Sequence, residues 1–137
     1  MGILDIFGKR DVSSELTKRI PYALKLSFHP YRLSANRSDS STLRVEIKNL
    51  TKEPLLTSIV VRVPKKLGLD QTCLSQIREI RLGELAPGEL KNLNIEIYGG
   101  TKTDQGSYPI EVTAISHYRN YSYVINYERA RATLRAV

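Results

Sequence analysis

The chain has 137 residues, with 21 Lys and Arg against 14 Asp and Glu, and a formal net charge of +7. This length is most simply a single domain, large enough to bury a core without disulfides or metal ions. The single cysteine, Cys73, excludes an intrachain disulfide. No apolar run approaches the length of a membrane span. The basic residues Lys9 and Arg10 follow the first apolar run instead of preceding it, which is the wrong order for a secretory signal. We therefore expect a cytoplasmic protein.

The first 20 residues differ from the rest of the chain. If they are helical, Ile3, Ile6 and Phe7 share one face. We expect a short N-terminal leader over residues 1–20, helical or extended. It would pack on the domain, dock on a partner through these three residues, or bind a membrane surface weakly and reversibly. Residues 21–137 form the predicted domain.

Apolar and polar residues alternate in several short segments of the first half. Residues 24–29 and 43–48 show this alternation, which is typical of strands with one buried face. Residues 57–63 form a third strand. Val60 breaks its alternation, which predicts a central strand covered on both sides.

The second half repeats the pattern around well-defined turns. Two alternating runs flank Ala86-Pro87-Gly88-Glu89, where Pro suits the second turn position and Gly the third, which needs a positive φ. A third run, residues 108–117, follows a polar turn. Strands at this spacing predict an all-β antiparallel sandwich of about seven strands.

The last segment, residues 118–137, has two interpretations. Its tyrosines and alanines fall on opposite parities, so one buried face holds both only if the strand bulges near Glu128-Arg129. The alternative is a helix from about Tyr127, since Ala, Arg, Glu and Leu favour helices. We favour the long bulged strand, because it completes a hairpin with residues 108–118.

Four short motifs occur in order along the chain. They are Val45-Glu-Ile-Lys-Asn49, Ile59-Val-Val-Arg-Val-Pro64, Leu85-Ala-Pro-Gly-Glu89 and Gly106-Ser-Tyr-Pro-Ile-Glu-Val112. Together they resemble the CARDB-type and NEW-type domains, a broad group of immunoglobulin-like sandwiches, over residues 21–125. The resemblance implies an immunoglobulin-like fold. Members of the group are usually extracellular or appended to enzymes, and act in adhesion or as spacers. The group has no catalytic motif to map onto this chain.

No catalytic or metal-binding pattern is present in the sequence. His29 and His117 are far apart and lack a metal-ligand spacing. Gly99-Gly100 lacks the Lys and Ser/Thr of a phosphate-binding loop. We therefore predict a protein that is not an enzyme and that has no cofactor and no metal.

Residues 117–135 are rich in arginine and tyrosine, and residues 118–137 carry four Arg against one Glu. Arginines at alternate strand positions share a face, about 7 Å apart. Arginine pairs with phosphates and tyrosine stacks on bases. The candidate contacts for nucleic acid or an acidic partner are Arg119, Tyr121, Tyr123, Arg129, Arg131 and Arg135. In the alternative interpretation, the tyrosines pack the sandwich edge and the arginines protect an edge strand from aggregation.

These observations favour a non-enzymatic protein-interaction or scaffold module of the cytoplasm. The expected partner is another protein or a second copy of the chain. The first alternative is nucleic-acid binding through the basic, tyrosine-rich C-terminal strand. The second is peripheral membrane attachment through the N-terminal segment.

Overall fold

The computed structural model describes residues 20–137, and these residues form strands without a helix. Seven strands are long and two have only two residues each, which confirms the predicted all-β class. The predicted leader contacts Ile3, Ile6 and Phe7 lie outside the described residues. The strands are β1 Tyr22–His29, β2 Arg32–Leu33, β3 Asp39–Asn49, β4 Leu55–Arg62, β5 Leu67–Gly68, β6 Ile77–Leu85, β7 Leu90–Gly99, β8 Gly106–His117 and β9 Val124–Ala136.

The strands form two sheets that pack face to face. One sheet has four strands in the order β1-β3-β7-β5, and the other has five in the order β2-β9-β8-β4-β6. All the pairs of neighbouring strands are antiparallel except β2 and β9, which run parallel over two residues. Since β1 and β2 are consecutive, the first part of the chain contributes an edge to each sheet.

The alternation seen in the sequence produces the core directly. In β3, Leu43, Val45 and Ile47 are fully buried, whereas Arg44 and Lys48 are exposed. The facing layer comes from the other sheet, mainly from β4 and β8, and the two layers make one apolar cluster. Strand β4 lies between β6 and β8, which confirms its predicted central position.

The Pro-Gly turn and the end of β3 hold one another in place. Gly88 has φ of 75°, and the Glu89 N–H donates to the Ala86 carbonyl over 2.9 Å, as the sequence predicts for this turn. The fully buried Asn49 side chain lies beside it and donates to the Leu85 carbonyl over 3.0 Å. Asn49 therefore ties the end of β3 to the loop that joins the two sheets.

The C-terminal segment is a strand and not a helix, but the predicted position of its bulge is wrong. The register with β8 is continuous around Glu128 and Arg129. It shifts earlier, where Ser116 pairs with Asn126 and His117 pairs with Val124. No bulge is needed at Glu128, because the tyrosines that precede it do not point into the core.

Candidate interaction surface on strand β9

Strand β9 is hydrogen-bonded to a neighbouring strand on only one side along most of its length, and β1 of the other sheet lies close to it. Its pairing with β8 runs from Val124 to Ala136, whereas β2 covers only Arg135 and Ala136 on the other side. Within the described part of the chain, the stretch from Val124 to Leu134 thus forms an open sheet edge. Such an edge presents backbone donors and acceptors that can pair with another strand.

The hydrogen bonds at the two ends of β9 show which backbone groups face this edge. Val137 donates to Leu33 and accepts from Ala35, both over 2.9 Å, so its backbone groups point away from β8. Backbone groups of successive strand residues point alternately to either side. With no register shift after Asn126, the odd-numbered residues share this direction. Arg129, Arg131 and Thr133 therefore direct their N–H and C=O groups to the open edge.

The Tyr127 N–H, which also faces the edge, already has a local partner. It donates to Oδ1 of the Asn126 side chain over 2.8 Å. This bond covers one edge donor and supports the assignment of odd-numbered residues to the open side. The Tyr127 carbonyl is the next edge acceptor along the strand.

Two of the predicted arginines meet on the outer face of the sheet and share one carboxylate. Arg131 Nη2 lies 3.1 Å from Glu111 Oε2, and Arg129 Nε lies 3.6 Å from Glu111 Oε1. Both guanidinium groups are largely exposed, so these pairs add little stability. The carboxylate nevertheless offsets half of the local positive charge.

The other predicted contacts are spread along the sheet. Arg119 lies in the connection between β8 and β9, with φ of 68° and its guanidinium 5.0 Å from the centre of the Tyr118 ring. Arg135 lies near the far end of β9, where β2 covers the strand. Tyr123 is exposed and Tyr121 is half-buried. The structure therefore brings Arg129 and Arg131 together and leaves Arg119 and Arg135 at opposite ends.

A group of large apolar and aromatic side chains lies exposed where β9 begins. We call Tyr123, Val124, Ile125 and Tyr127 the β9 patch, and each of the four is between 56% and 60% exposed. The exposed Leu50 lies at the same end, and a shallow groove runs between Leu50 and Ile125. Exposed apolar groups that cluster beside an open edge mark a surface suited to a protein partner.

Sequence reasoning missed a buried histidine next to this surface. His117 is only 5% exposed, and its Nε2 lies 2.7 Å from Ser58 Oγ. The Tyr121 ring covers it, with ring centroids 5.0 Å apart, and the Tyr121 hydroxyl accepts a bond from the Gly83 N–H over 3.0 Å. The alternation along residues 108–117 predicts an outward side chain at His117, but the structure buries it. The sequence held no signal that the β8–β9 connection folds back over it.

Ser58 and His117 have the spacing of a nucleophile and its base, but their surroundings do not support catalysis. Ser58 is fully buried. The other ring nitrogen of the histidine, Nδ1, has no hydrogen-bond partner among the described residues, whereas a catalytic base is held by a third group. We interpret the pair as an anchor for the β8–β9 connection.

The opposite end of the sandwich has a cleft with lysines and Cys73. Lys65, Lys66 and Lys102 line it, and Lys66 forms an ion pair with Asp104. Burial raises the pKa of the Cys73 thiol, and the nearby Asp70 raises it further. The thiol therefore remains protonated at neutral pH and lacks the character of a reactive cysteine.

Residues 20–137 contain neither a cluster of metal ligands nor a helix that could span a membrane. Over that range, no three side chains of the metal-binding types His, Cys, Asp and Glu come together. Nor does that range contain a helix with the length and apolar character needed to cross a bilayer.

Known structures share this architecture. A structure of native α-2-macroglobulin from Escherichia coli, spanning domain MG7 to the C-terminus, superposes with a TM-score of 0.59 at 21% identity. The match covers 85% of this chain but only 17% of the other. A CARDB domain from Pyrococcus furiosus, solved in complex with di-metal ions, gives 0.56 at 18% identity, covering 85% and 87% of the two chains. The fold is that of an immunoglobulin-like sandwich.

The same fold also occurs within enzymes. The Pseudomonas fluorescens alkylpurine DNA glycosylase AlkC, bound to DNA containing an abasic site analogue, matches with a TM-score of 0.51 at 13% identity, covering 85% of this chain and 31% of that one. No protein-family model matches the sequence, and no curated protein is similar to it. At these identities the similarity establishes the fold, and the function has to be argued from the surface.

Proposed function

We propose that this chain is a non-enzymatic protein-interaction module that binds through the open edge of β9. The observation that carries the proposal is the coincidence of two features on one strand. From Arg129 to Thr133 the edge-facing backbone groups of β9 have no strand opposite them among the described residues, and the β9 patch lies beside the start of the strand. An extended peptide added to such an edge gains backbone hydrogen bonds for affinity and side-chain contacts for specificity.

The proposal includes a cytoplasmic location. It is supported by the single cysteine, which cannot form an intrachain disulfide and whose half-buried thiol stays protonated. A scaffold role fits a fold whose core needs neither disulfides nor metal ions.

A proline in place of Arg129 tests the edge directly. The Arg129 N–H faces the open side, so proline removes an edge donor without breaking the ladder with β8. Tagged protein is used to capture partners from a host lysate, with partner amounts measured by quantitative mass spectrometry. We expect Arg129→Pro to reduce specific partners about tenfold or more, because one lost edge bond and a steric block each weaken pairing.

The matched control is Leu74→Glu. Leu74 is 79% exposed and belongs to the opposite end of the sandwich, beside the lysine cleft. This variant changes an exposed apolar residue without touching β9, and it should capture the same partners as the original chain. An unchanged partner profile with Arg129→Pro, in a protein that remains folded, would contradict the proposal.

A further inference from the structure

We propose that the lysine cleft at the opposite end of the sandwich binds the phosphate group of an organic phosphate ester. The cleft has a volume of about 470 Å³, and Lys65, Lys66 and Lys102 line it. Pockets of this size hold small-molecule ligands in proteins. The lining residues come from four connections between strands and from the end of β7, and not from β9. The inference is therefore independent of the proposed function.

The two-residue strand β5 brings two of the lysine-bearing connections together. In the ladder between β5 and β7, Leu67 lies opposite Gly99. Lys66 precedes this pair and Gly100 follows it, so the β4–β5 and β7–β8 connections lie side by side. The fully buried Thr103 fastens them, because its hydroxyl accepts from the Gly100 N–H over 2.9 Å and donates to the Lys66 carbonyl over 2.6 Å. The lysines of both connections are therefore held at one mouth.

The third wall of the cleft is the β5–β6 connection, which packs directly on β5. A Cβ at Gly68 would lie 2.3 Å from the Cα of Cys73, so the close approach of the two segments requires glycine here. The Gln76 side chain joins the same two segments by donating to the carbonyls of Leu67 and Cys73 over 3.2 and 2.9 Å. The walls are thus fixed before a ligand binds, which lowers the entropic cost of binding.

The charge of the lining is positive, since its charged residues are three lysines. Two carboxylates lie nearby, and both already have partners. Asp104 forms the ion pair with Lys66, and Asp70 accepts hydrogen bonds from its own connection. In the described part of the chain, Lys65 and Lys102 form no ion pair. The cleft therefore offers two ammonium charges to an anion.

The chemistry of the lining favours phosphate over a carboxylate. An arginine guanidinium matches a planar carboxylate with two parallel bonds, whereas a lysine ammonium is a compact point charge. The described lining contains lysine and no arginine. Point charges on different walls suit a tetrahedral dianion, and the hydroxyls of Ser38 and Thr101 can donate neutral hydrogen bonds. Leu74, which is 79% exposed, offers apolar contact to the organic part of the ester.

Titration of the isotope-labelled full chain, followed in amide NMR spectra, tests the site. The probes are phenyl phosphate, inorganic phosphate and benzoate. We expect saturable shifts of the amide signals of the cleft residues, with a Kd for phenyl phosphate of about 0.1–2 mM. Benzoate, which presents a carboxylate on the same ring, should bind at least about tenfold more weakly. The same spectra show whether each variant remains folded.

Substitutions in the cleft and a charge-matched control define the site. Lys102→Glu should raise the Kd for phenyl phosphate about tenfold or more, because it removes one ammonium group and adds a repulsive carboxylate. Lys48→Glu makes the same change in net charge at an exposed position near the other end of β3, about 30 Å from Ser38. It should leave the Kd unchanged. Leu74→Ala should weaken phenyl phosphate about threefold without affecting inorganic phosphate.

Vesicles of phosphatidylcholine, with and without phosphatidic acid, distinguish the sources of the phosphate. Co-sedimentation that requires phosphatidic acid and is lost with Lys102→Glu would identify the ester as a lipid headgroup. Saturable binding of phenyl phosphate without co-sedimentation would identify it as a soluble ester. Both results support a phosphate site in the cleft.

Three results would overturn the proposal. The first is the absence of saturable shifts at the cleft up to about 50 mM phenyl phosphate. The second is an equal loss of affinity with Lys102→Glu and Lys48→Glu, which would show a general attraction to the basic surface. The third is benzoate that binds as tightly as phenyl phosphate, which would contradict a preference for phosphate. None of these results depends on the β9 edge, so the two proposals fail separately.

Discussion

Replacement of Asn49 by alanine is expected to destabilise the fold more than any single surface change. The Asn49 side chain is fully buried and makes four hydrogen bonds. Its Nδ2 donates to the carbonyls of Glu53 and Leu85 over 2.8 and 3.0 Å. Its Oδ1 accepts from the N–H and the hydroxyl of Thr51 over 2.8 and 2.7 Å.

The size of the stability loss depends on which hydrogen-bond partners of Asn49 can bond to water in the variant. Thr51 and Glu53 lie at the surface side of the loop, so water replaces their lost bonds in the variant. The Leu85 bond is buried, and its carbonyl loses a donor that water cannot easily replace. A buried group left without a partner costs about 1–3 kcal/mol, and each lost bond about 1 kcal/mol. We expect Asn49→Ala to lower the free energy of unfolding by about 2–4 kcal/mol.

Equilibrium unfolding in urea, followed by circular dichroism, measures this change. In a thermal scan the same loss corresponds to a fall in Tm of roughly 6–16 °C for a chain of this size. The matched control is Asn94→Ala, because Asn94 is exposed on β7 and its loss should change stability by less than about 0.5 kcal/mol. If Asn49→Ala unfolds within 1 kcal/mol of the original chain, the role assigned to these bonds is wrong.

Three further predictions concern the core, a close backbone contact and the basic face. Burial raises the pKa of Tyr22 above its ordinary value of 10.0, so the stability it contributes is present below pH 10 and is lost as pH rises through the raised pKa. Tyr22→Phe should lower the unfolding free energy by about 1 kcal/mol at pH 8, and the difference should shrink above pH 10 in urea titrations. A Cβ at Gly68 would lie 2.3 Å from the Cα of Cys73, so Gly68→Ala should cost about 1–3 kcal/mol by the same assay. Binding of nucleic acid can be titrated by fluorescence anisotropy. We expect weak binding at low salt that disappears near a salt concentration of about 200 mM, since Glu111 offsets the charge of Arg129 and Arg131. Tight, salt-resistant binding would favour the nucleic-acid hypothesis instead.

Much of the fold could be predicted because local patterns and burial agree. Leu43, Val45 and Ile47 alternate with the period of two that a sheet imposes. The same pattern therefore predicts both the strand and its buried face. The Pro87-Gly88 turn could also be predicted from the sequence, because its backbone geometry requires a positive φ at the position that Gly88 occupies. No local pattern in the sequence predicts the order of the strands in the sheets. The two-residue strand β5 is likewise seen only in the structure.

The surface could be predicted only in part, for physical reasons that its residues illustrate. Arginine and tyrosine at alternate positions marked β9 as unusual, but the pairing of Arg129 and Arg131 with Glu111 depends on the register with β8. The bulge was misplaced because Tyr127 was assumed to face inward, whereas it is more than half exposed. The burial of His117 depends on how the connection after β8 folds, which no periodic pattern records.

Amide hydrogen exchange along β9 tests the central claim most directly. In dilute protein, the N–H groups of Arg129, Arg131 and Thr133 should exchange rapidly, whereas those of Ala130 and Ala132, which face β8, should be protected. Addition of a captured partner, or self-association at high concentration, should protect the Arg129 N–H in particular. An Arg129 N–H that is already protected in dilute protein, or that stays unprotected in the complex, would contradict binding through the open edge of β9.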